Sequence, residues 1–263
     1  MRKGPKSTLR NSPLVLVLAQ VRFSALMAMA DYIPKIQDRL RLAGYPVNAS
    51  AQYQEIAVGR QGVAAAQRAH WEFLSKDRTI SVVVSEGFLV VQTSSYSDFD
   101  AFLQSVTEVL EVVASIVGGL LVQRVGLRYV DLIRPREDES WEAYVREGLR
   151  GFLSPHFVDG TTLHLHQVVT RTPSGTMIVR LLQNRDLAIL PPDLGTQTLM
   201  FPGIAPPSPG ELLTLVDIDH FHECEPEEFD GQLLARIAWP LKNASYEVFR
   251  DSLFTDYALE VWR

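Results

Sequence analysis

The phrase "LVDIDHFHEC", residues 215–224, brings Asp217, Asp219, His220, His222 and Cys224 close together in the chain. Imidazole, thiolate and carboxylate are the donors that hold Zn²⁺, and paired carboxylates suit Mg²⁺. On a strand, side chains alternate. Leu215, Asp217, Asp219 and Phe221 would then face one way, and Val216, Ile218, His220 and His222 the other. Two histidines at i and i+2 can reach one zinc ion, with Cys224 next in the same alternation. "TTLHLHQ" supplies a second such pair, His164 and His166, and four imidazoles would meet if the two strands were adjacent and the pairs faced each other. The plainer expectation is that these polar residues end a strand, since no further ligand is placed and the first half carries "VQTSSY" at the matching place. On that expectation no metal, cofactor or catalytic residue is assigned.

A second group is basic. Arg22 and Arg128 each lie on an apolar, strand-like stretch and precede an aromatic residue, and Arg124 shares a face with Arg128 by alternation. Two readings stay open. On an open sheet face the guanidinium forks would grip an anionic ligand or a partner's carboxylates. Alternatively they pair with internal acids such as Asp131, Asp217 or Asp219 and fix how two halves dock. Signatures of better-defined chemistry are missing: there is no G-x-S-x-G, H-E-x-x-H or G-x-G-x-x-G. "GPKST" at 4–8 lacks the upstream glycine and strand of a phosphate loop.

The elements that must position these residues follow from composition and pattern. With 263 residues, 46% hydrophobic and 21% charged, the chain can bury a sizeable core. One cysteine allows neither an intramolecular disulfide nor a multi-cysteine zinc site and fits a reducing cytosol. No apolar run approaches the roughly 20 residues of a membrane span. A net charge of −6 argues against broad, phosphate-driven nucleic-acid binding. Residues 1–12 are expected to form a flexible basic tail of a cytoplasmic protein.

The chain then repeats itself. "SPLVLVLAQVRFS" leads to a helix opened by Asp31, with Tyr32, Ile33, Ile36 and Leu40 on one face. "LLVQRVGLRYVDLI" leads to a helix opened by Ser140, with Trp141, Tyr144, Val145, Leu149 and Phe152. Arg22 and Arg128 are 106 apart, Pro46 and Pro155 are 109 apart, and the phrases around Phe99-Asp100 and Phe229-Asp230 are 130 apart. Such spacing suggests a tandem duplication, its register slipped by a Pro-rich insertion at 191–210. Turn-separated strands between the helices give β-α-β-β-β(-β)-α per unit. The expected class is α+β: two tandem units, 13–119 and 120–263, with curved antiparallel sheets and helices on one face.

Local details are specific enough to check. Pro226 suits the first position of the last long helix, with Glu227, Glu228 and Asp230 in its first turn. Ser97 and Asp100 would cap the matching helix. Pro240 should kink or end the last helix, with another starting near Asn243. "YALEVWR" would be a final strand or a docking segment, and an exposed Trp262 would mark an interface.

The phrases "QRVGLRYVD" (123–131), "HWEF", "VVQTSSYSDFDAF", "LVDID" and "LKNASYEVFRDSLFTDYALEVW" resemble a sporadically distributed family of uncharacterised bacterial proteins of about this length. The resemblance spans nearly the whole chain. It implies a cytoplasmic, two-unit α+β protein and brings no mechanism. The sequence therefore points to a non-enzymatic binding or interaction module with no cofactor. Its candidate surfaces are the face bearing Arg22, Arg124 and Arg128, the Asp217, Asp219, His220 and His222 cluster, and the 191–210 loop. The partner would be an unknown protein or a small anionic ligand, without a membrane, and a homo-oligomer is allowed. The alternative is a metal-dependent hydrolase or nuclease using Asp217, Asp219, His220 and His222.

Overall fold

Two long antiparallel strands, β1 (Leu14–Phe23) and β7 (Leu121–Ile133), lie side by side at the centre of one sheet. The computed structural model describes residues 9, 11–49, 51–59, 62–151, 163–185, 189–194 and 198–263. After β1 come helix α1 (Met29–Leu42), β2 (Val47–Asn48), β3 (Ala51–Gly59), β4 (Gly62–Leu74), β5 (Ile80–Val84), β6 (Phe88–Thr93) and α2 (Phe99–Val117). After β7 come β8 (Leu163–Thr172), β9 (Gly175–Asn184), β10 (Leu213–Glu228), α3 (Gly231–Val248) and α4 (Asp256–Val261). The sheet runs β2-β4-β5-β6-β1-β7-β10-β9-β8, with β3 paired to β4, and every pairing is antiparallel. The α+β, antiparallel expectation therefore holds, but the two halves share one continuous sheet where separate sheets were expected.

Alternation assigns the faces. Val17, Ala19 and Val21 of β1, Val125 and Leu127 of β7, and Val82, Val84, Leu89 and Val91 of β5 and β6 are buried against α1, α2 and α3. In the second half the same face continues through Met177, Val179, Leu181, Val216 and Ile218. There it is covered by α4 and by Tyr144, Val145 and Leu149. Helices pack on this face, as expected. On the opposite face Leu18, Val130, Leu132 and Leu215 are buried with Leu190, just before the Pro-rich segment, and with Leu199 inside it. That segment also reaches the first half, where the Met200 amide donates to the Arg78 carbonyl at 2.8 Å. No helix among the described residues is long and apolar enough to cross a membrane.

Several local expectations are corrected. The apolar spacing after Ser140 is real, but it forms two 3₁₀ turns, Trp141–Ala143 and Glu147–Leu149. The backbone here serves a tertiary contact: the Arg146 amide donates to the Leu253 carbonyl, and the Thr255 amide to the Tyr144 carbonyl. Phe152 and the stop at 154–155 lie outside the described residues.

Pro226 lies in β10, within a register irregularity between Glu223 and Glu227, where a missing N–H costs no ladder bond. The helix begins later, with Asp230 accepting from the Leu233 amide, and α2 is capped in the same way by Asp98. These caps are 132 positions apart, so the Phe-Asp phrases align two residues out of step with the fold. Helix α3 runs through Pro240, which is exposed, so the carbonyl it frees opens toward solvent. The "LAIL" strand does not form over the described Ile189 and Leu190, and 186–188 lie outside the described residues. Trp262 is buried between Tyr144, Phe249 and Phe254, so it marks an internal dock and not an interface.

Candidate functional site

Register decides which of the singled-out residues can meet. Asp219 is the Cα partner of Arg128 and Asp217 of Val130, while His220 partners Leu127. The two aspartates therefore share a face with Arg128, and His220 and His222 lie on the helix side. The cluster that looked like one site in sequence is divided by the sheet itself.

His220 is fully buried. Its Nε2 is 2.8 Å from the Thr172 hydroxyl, and its Nδ1 is 3.0 Å from the Leu241 carbonyl and 3.3 Å from the Ser245 hydroxyl. Burial, partly opposed by the Leu241 carbonyl, lowers its pKa. It pins α3 to the β8–β9 turn. His220→Ala is expected to cost about 2–3 kcal/mol through a cavity and unpaired polar groups, read from a urea titration; a loss below about 0.5 kcal/mol would contradict this role. His222 Nδ1 lies 3.1 Å from the Ser174 carbonyl. His164 and His166 are on β8, which β9 separates from β10, so the two histidine pairs do not converge. Cys224 donates weakly to the Val122 carbonyl. Among the described residues no group of three or more His, Cys, Asp or Glu could hold a metal ion.

The face opposite the helices carries a polar stripe. Arg128 Nε and Nη2 donate to the two Asp217 oxygens, each at 2.7 Å. Its Nη1 and Nη2 donate to Asp193 at 2.9 and 3.0 Å. Arg180 donates to Asp217 at 2.9 Å and to the Gln167 amide oxygen at 2.9 Å. Bidentate, charge-assisted pairs of this kind fix geometry strongly. Burial alone would lower the Arg128 pKa, but the hydrogen bonds and charges of Asp217 and Asp193 outweigh it and raise it. Burial likewise works against the Asp193 charge, yet Arg128 and Arg180 hold its pKa below the usual carboxylate range. Arg128 thus follows the internal-pairing reading. Asp131, also weighed as its partner, faces the helix side: it opposes Val216, next to Asp217 in β10.

Arg22 and Arg124 behave differently. They are direct Cα partners across the central strand pair, where like charges repel. Both donate to the Gln20 amide oxygen. The nearest carboxylate to Arg124 is Asp219, at 4.0 Å, and the Arg124 guanidinium lies 4.0 Å above the Phe221 ring. Gly126 makes this possible, because a Cβ there would stand 3.2 Å from Phe221 Cβ and 3.6 Å from the guanidinium. Burial lowers the Arg124 pKa, the charges of Asp219 and of Glu223, its Cα partner on β10, oppose that, and Arg22 adds to it. Burial also raises the pKa of Asp219, which makes it a weaker counter-charge. Arg22 is exposed, and no carboxylate partner is found for it among the described residues.

Arg180, Gln167 and Asp193 were not singled out from sequence. Arg180 had a signal, since it alternates with buried Val179 and Leu181 inside an apolar strand. Asp193 had none, because its position depends on how the Pro-rich segment folds back. No protein-family model matches the chain, and no curated protein matches it.

Proposed function

We propose that this chain is a non-enzymatic, cytoplasmic binding module whose working surface is the sheet face opposite the helices. A small anionic ligand, bearing a carboxylate or phosphate, sits between Arg22 and Arg124. The observation that carries this reading is the direct opposition of two arginines that share one glutamine oxygen, with Asp219 4.0 Å from Arg124 and Glu223 opposite Arg124 on β10 but not within ion-pair distance of it. A bound anion would remove the repulsion and use the free N–H donors of both forks. The balanced group of Arg128, Arg180, Asp193 and Asp217 is the rigid floor beside it.

We infer as well that units 13–119 and 120–263 descend from one duplicated unit. The strand order is the same read outward from β1 as from β7, allowing for β2 and β3. With a spacing of 106, residues 18, 20 and 22 correspond to 124, 126 and 128. The pairings Leu18 with Arg128 and Arg22 with Arg124 then lie symmetrically about Gln20 with Gly126. Under this reading Arg22 and Arg128 are the same ancestral residue, one kept open and the other enlisted by the inserted loop through Asp193.

Calorimetric titration with inorganic pyrophosphate and with citrate tests the binding reading. The parent chain is expected to bind at least one of them, and Arg22→Ala with Arg124→Ala to weaken binding by about 100-fold while preserving the circular dichroism spectrum. Unchanged affinity in the folded double variant, or no binding of either anion, would overturn it.

A further inference from the structure

On the helix side, a cavity of about 90 Å³ opens between β7, β10 and α3, lined by Leu14, Tyr129, Asp131, Ile218, Tyr246 and Phe249 among others. Asp131 is 1% exposed, and among the described residues neither its Oδ2 nor the buried Tyr129 hydroxyl has a hydrogen-bond partner. Buried polar groups in folded proteins are nearly always satisfied, so two in one cavity call for a donor beyond those that the described residues place on them. The rest of the wall is mostly apolar and aromatic, with Tyr96 joining Tyr129, Tyr246 and Phe249. A carboxylate among aromatic rings is the chemistry that recognises an organic ammonium. The wall already accommodates a cation on one side: Lys242 Nζ lies 5.1 Å from the Tyr246 ring centre and 5.9 Å from that of Trp239.

We infer that this cavity binds a small primary ammonium, its head on Asp131 and Tyr129 and its aliphatic body against Leu14, Ile218 and Phe249. Size limits the ligand, since a dry cavity of about 150 Å³ takes benzene and this one is smaller. The site lies on the other face of the sheet from Arg22 and Arg124 and does not depend on the anion reading.

The test is titration of the full chain with n-butylammonium at about pH 8.5, where the amine remains charged and the carboxyl is ionised. One site is expected, with 1-butanol, the neutral isostere, at least about tenfold weaker. Asp131→Asn should weaken butylammonium at least about tenfold, and Lys242→Met, which removes the competing charge, should strengthen it about threefold. Equal binding of 1-butanol, an unchanged affinity in Asp131→Asn, or no binding of butylammonium would each overturn the inference. Should the asparagine variant fail to fold, Tyr129→Phe keeps the test open: loss of the hydroxyl is expected to weaken binding about threefold, and no change would count against the site.

Discussion

Arg128→Ala is expected to destabilise the protein by about 3–5 kcal/mol, whereas Arg22→Ala should shift stability by no more than about 0.5 kcal/mol. Both arginines sit on first strands of their halves, and sequence alone treats them alike. Around Arg128, however, four charged side chains interlock: its side chain is 9% exposed and that of Asp217 is 3% exposed. Removing the guanidinium leaves Asp217 with Arg180 alone and leaves Asp193, which tethers the Pro-rich segment to the sheet, with only its longer 3.7 Å ion pair to Arg180. Most of the loss comes from a buried charge deprived of its bidentate partner, not from the net worth of the pair. Arg22 is exposed and gives up one hydrogen bond to Gln20, so its removal relieves repulsion as much as it removes contact. Urea midpoints for the two variants check this directly. Equal losses would mean that the two arginines play one structural role.

Asp131→Asn should stabilise the protein at neutral and alkaline pH and do little near pH 4. Burial, reinforced by the charge of Asp217, pushes the Asp131 pKa up to about 8 from its ordinary 3.8. Between those values the unfolded chain has lost the proton and the folded chain keeps it. The favourable contribution of the protonated folded state is complete below the unfolded pKa and is lost as pH rises through the folded one. At about 1.4 kcal/mol per pKa unit, the window spans on the order of 5 kcal/mol. Asparagine keeps the shape without the titration, so the gain over the parent should approach roughly 4 kcal/mol by pH 7. Denaturation curves at about pH 4, 7 and 9 isolate this as a difference between the two proteins, since other titrating groups are common to both. A constant difference across that range would contradict it.

What was legible in the sequence was local and periodic. Alternation along "LVDIDHFH" correctly separated Asp217 and Asp219 from His220 and His222, and the helix expected from Asp31 formed despite Pro34, although it starts two residues earlier, at Met29, with Asp31 inside its first turn. The polar residues expected to end a strand lie inside β10, which runs on to Glu228, and the acidic run after Cys224 belongs to the end of that strand and not to a helix start. Tertiary competition was not legible. Residues 140–149 have helical spacing, but the C-terminal segment captures their backbone groups, and a pattern of side chains cannot report that. The same holds for Asp193: a segment of prolines and glycines carries no periodicity, so nothing revealed that it would deliver a carboxylate to Arg128. Asp131 shows the limit from the other side. A charged residue inside "RYVDLI" reads as an ion-pair partner, yet its strand position points it among tyrosines.

On the proposed reading, the two arginines facing each other on β1 and β7 hold an anion while Arg128 and Arg180 are structural. Following arginine Nε–Hε resonances by NMR during a pyrophosphate titration tests it most directly. The resonances of Arg22 and Arg124 are expected to shift together and saturate at one equivalent, with those of Arg128 and Arg180 unmoved. Shifts confined to Arg128 and Arg180, or no arginine shift at saturating anion, would contradict it.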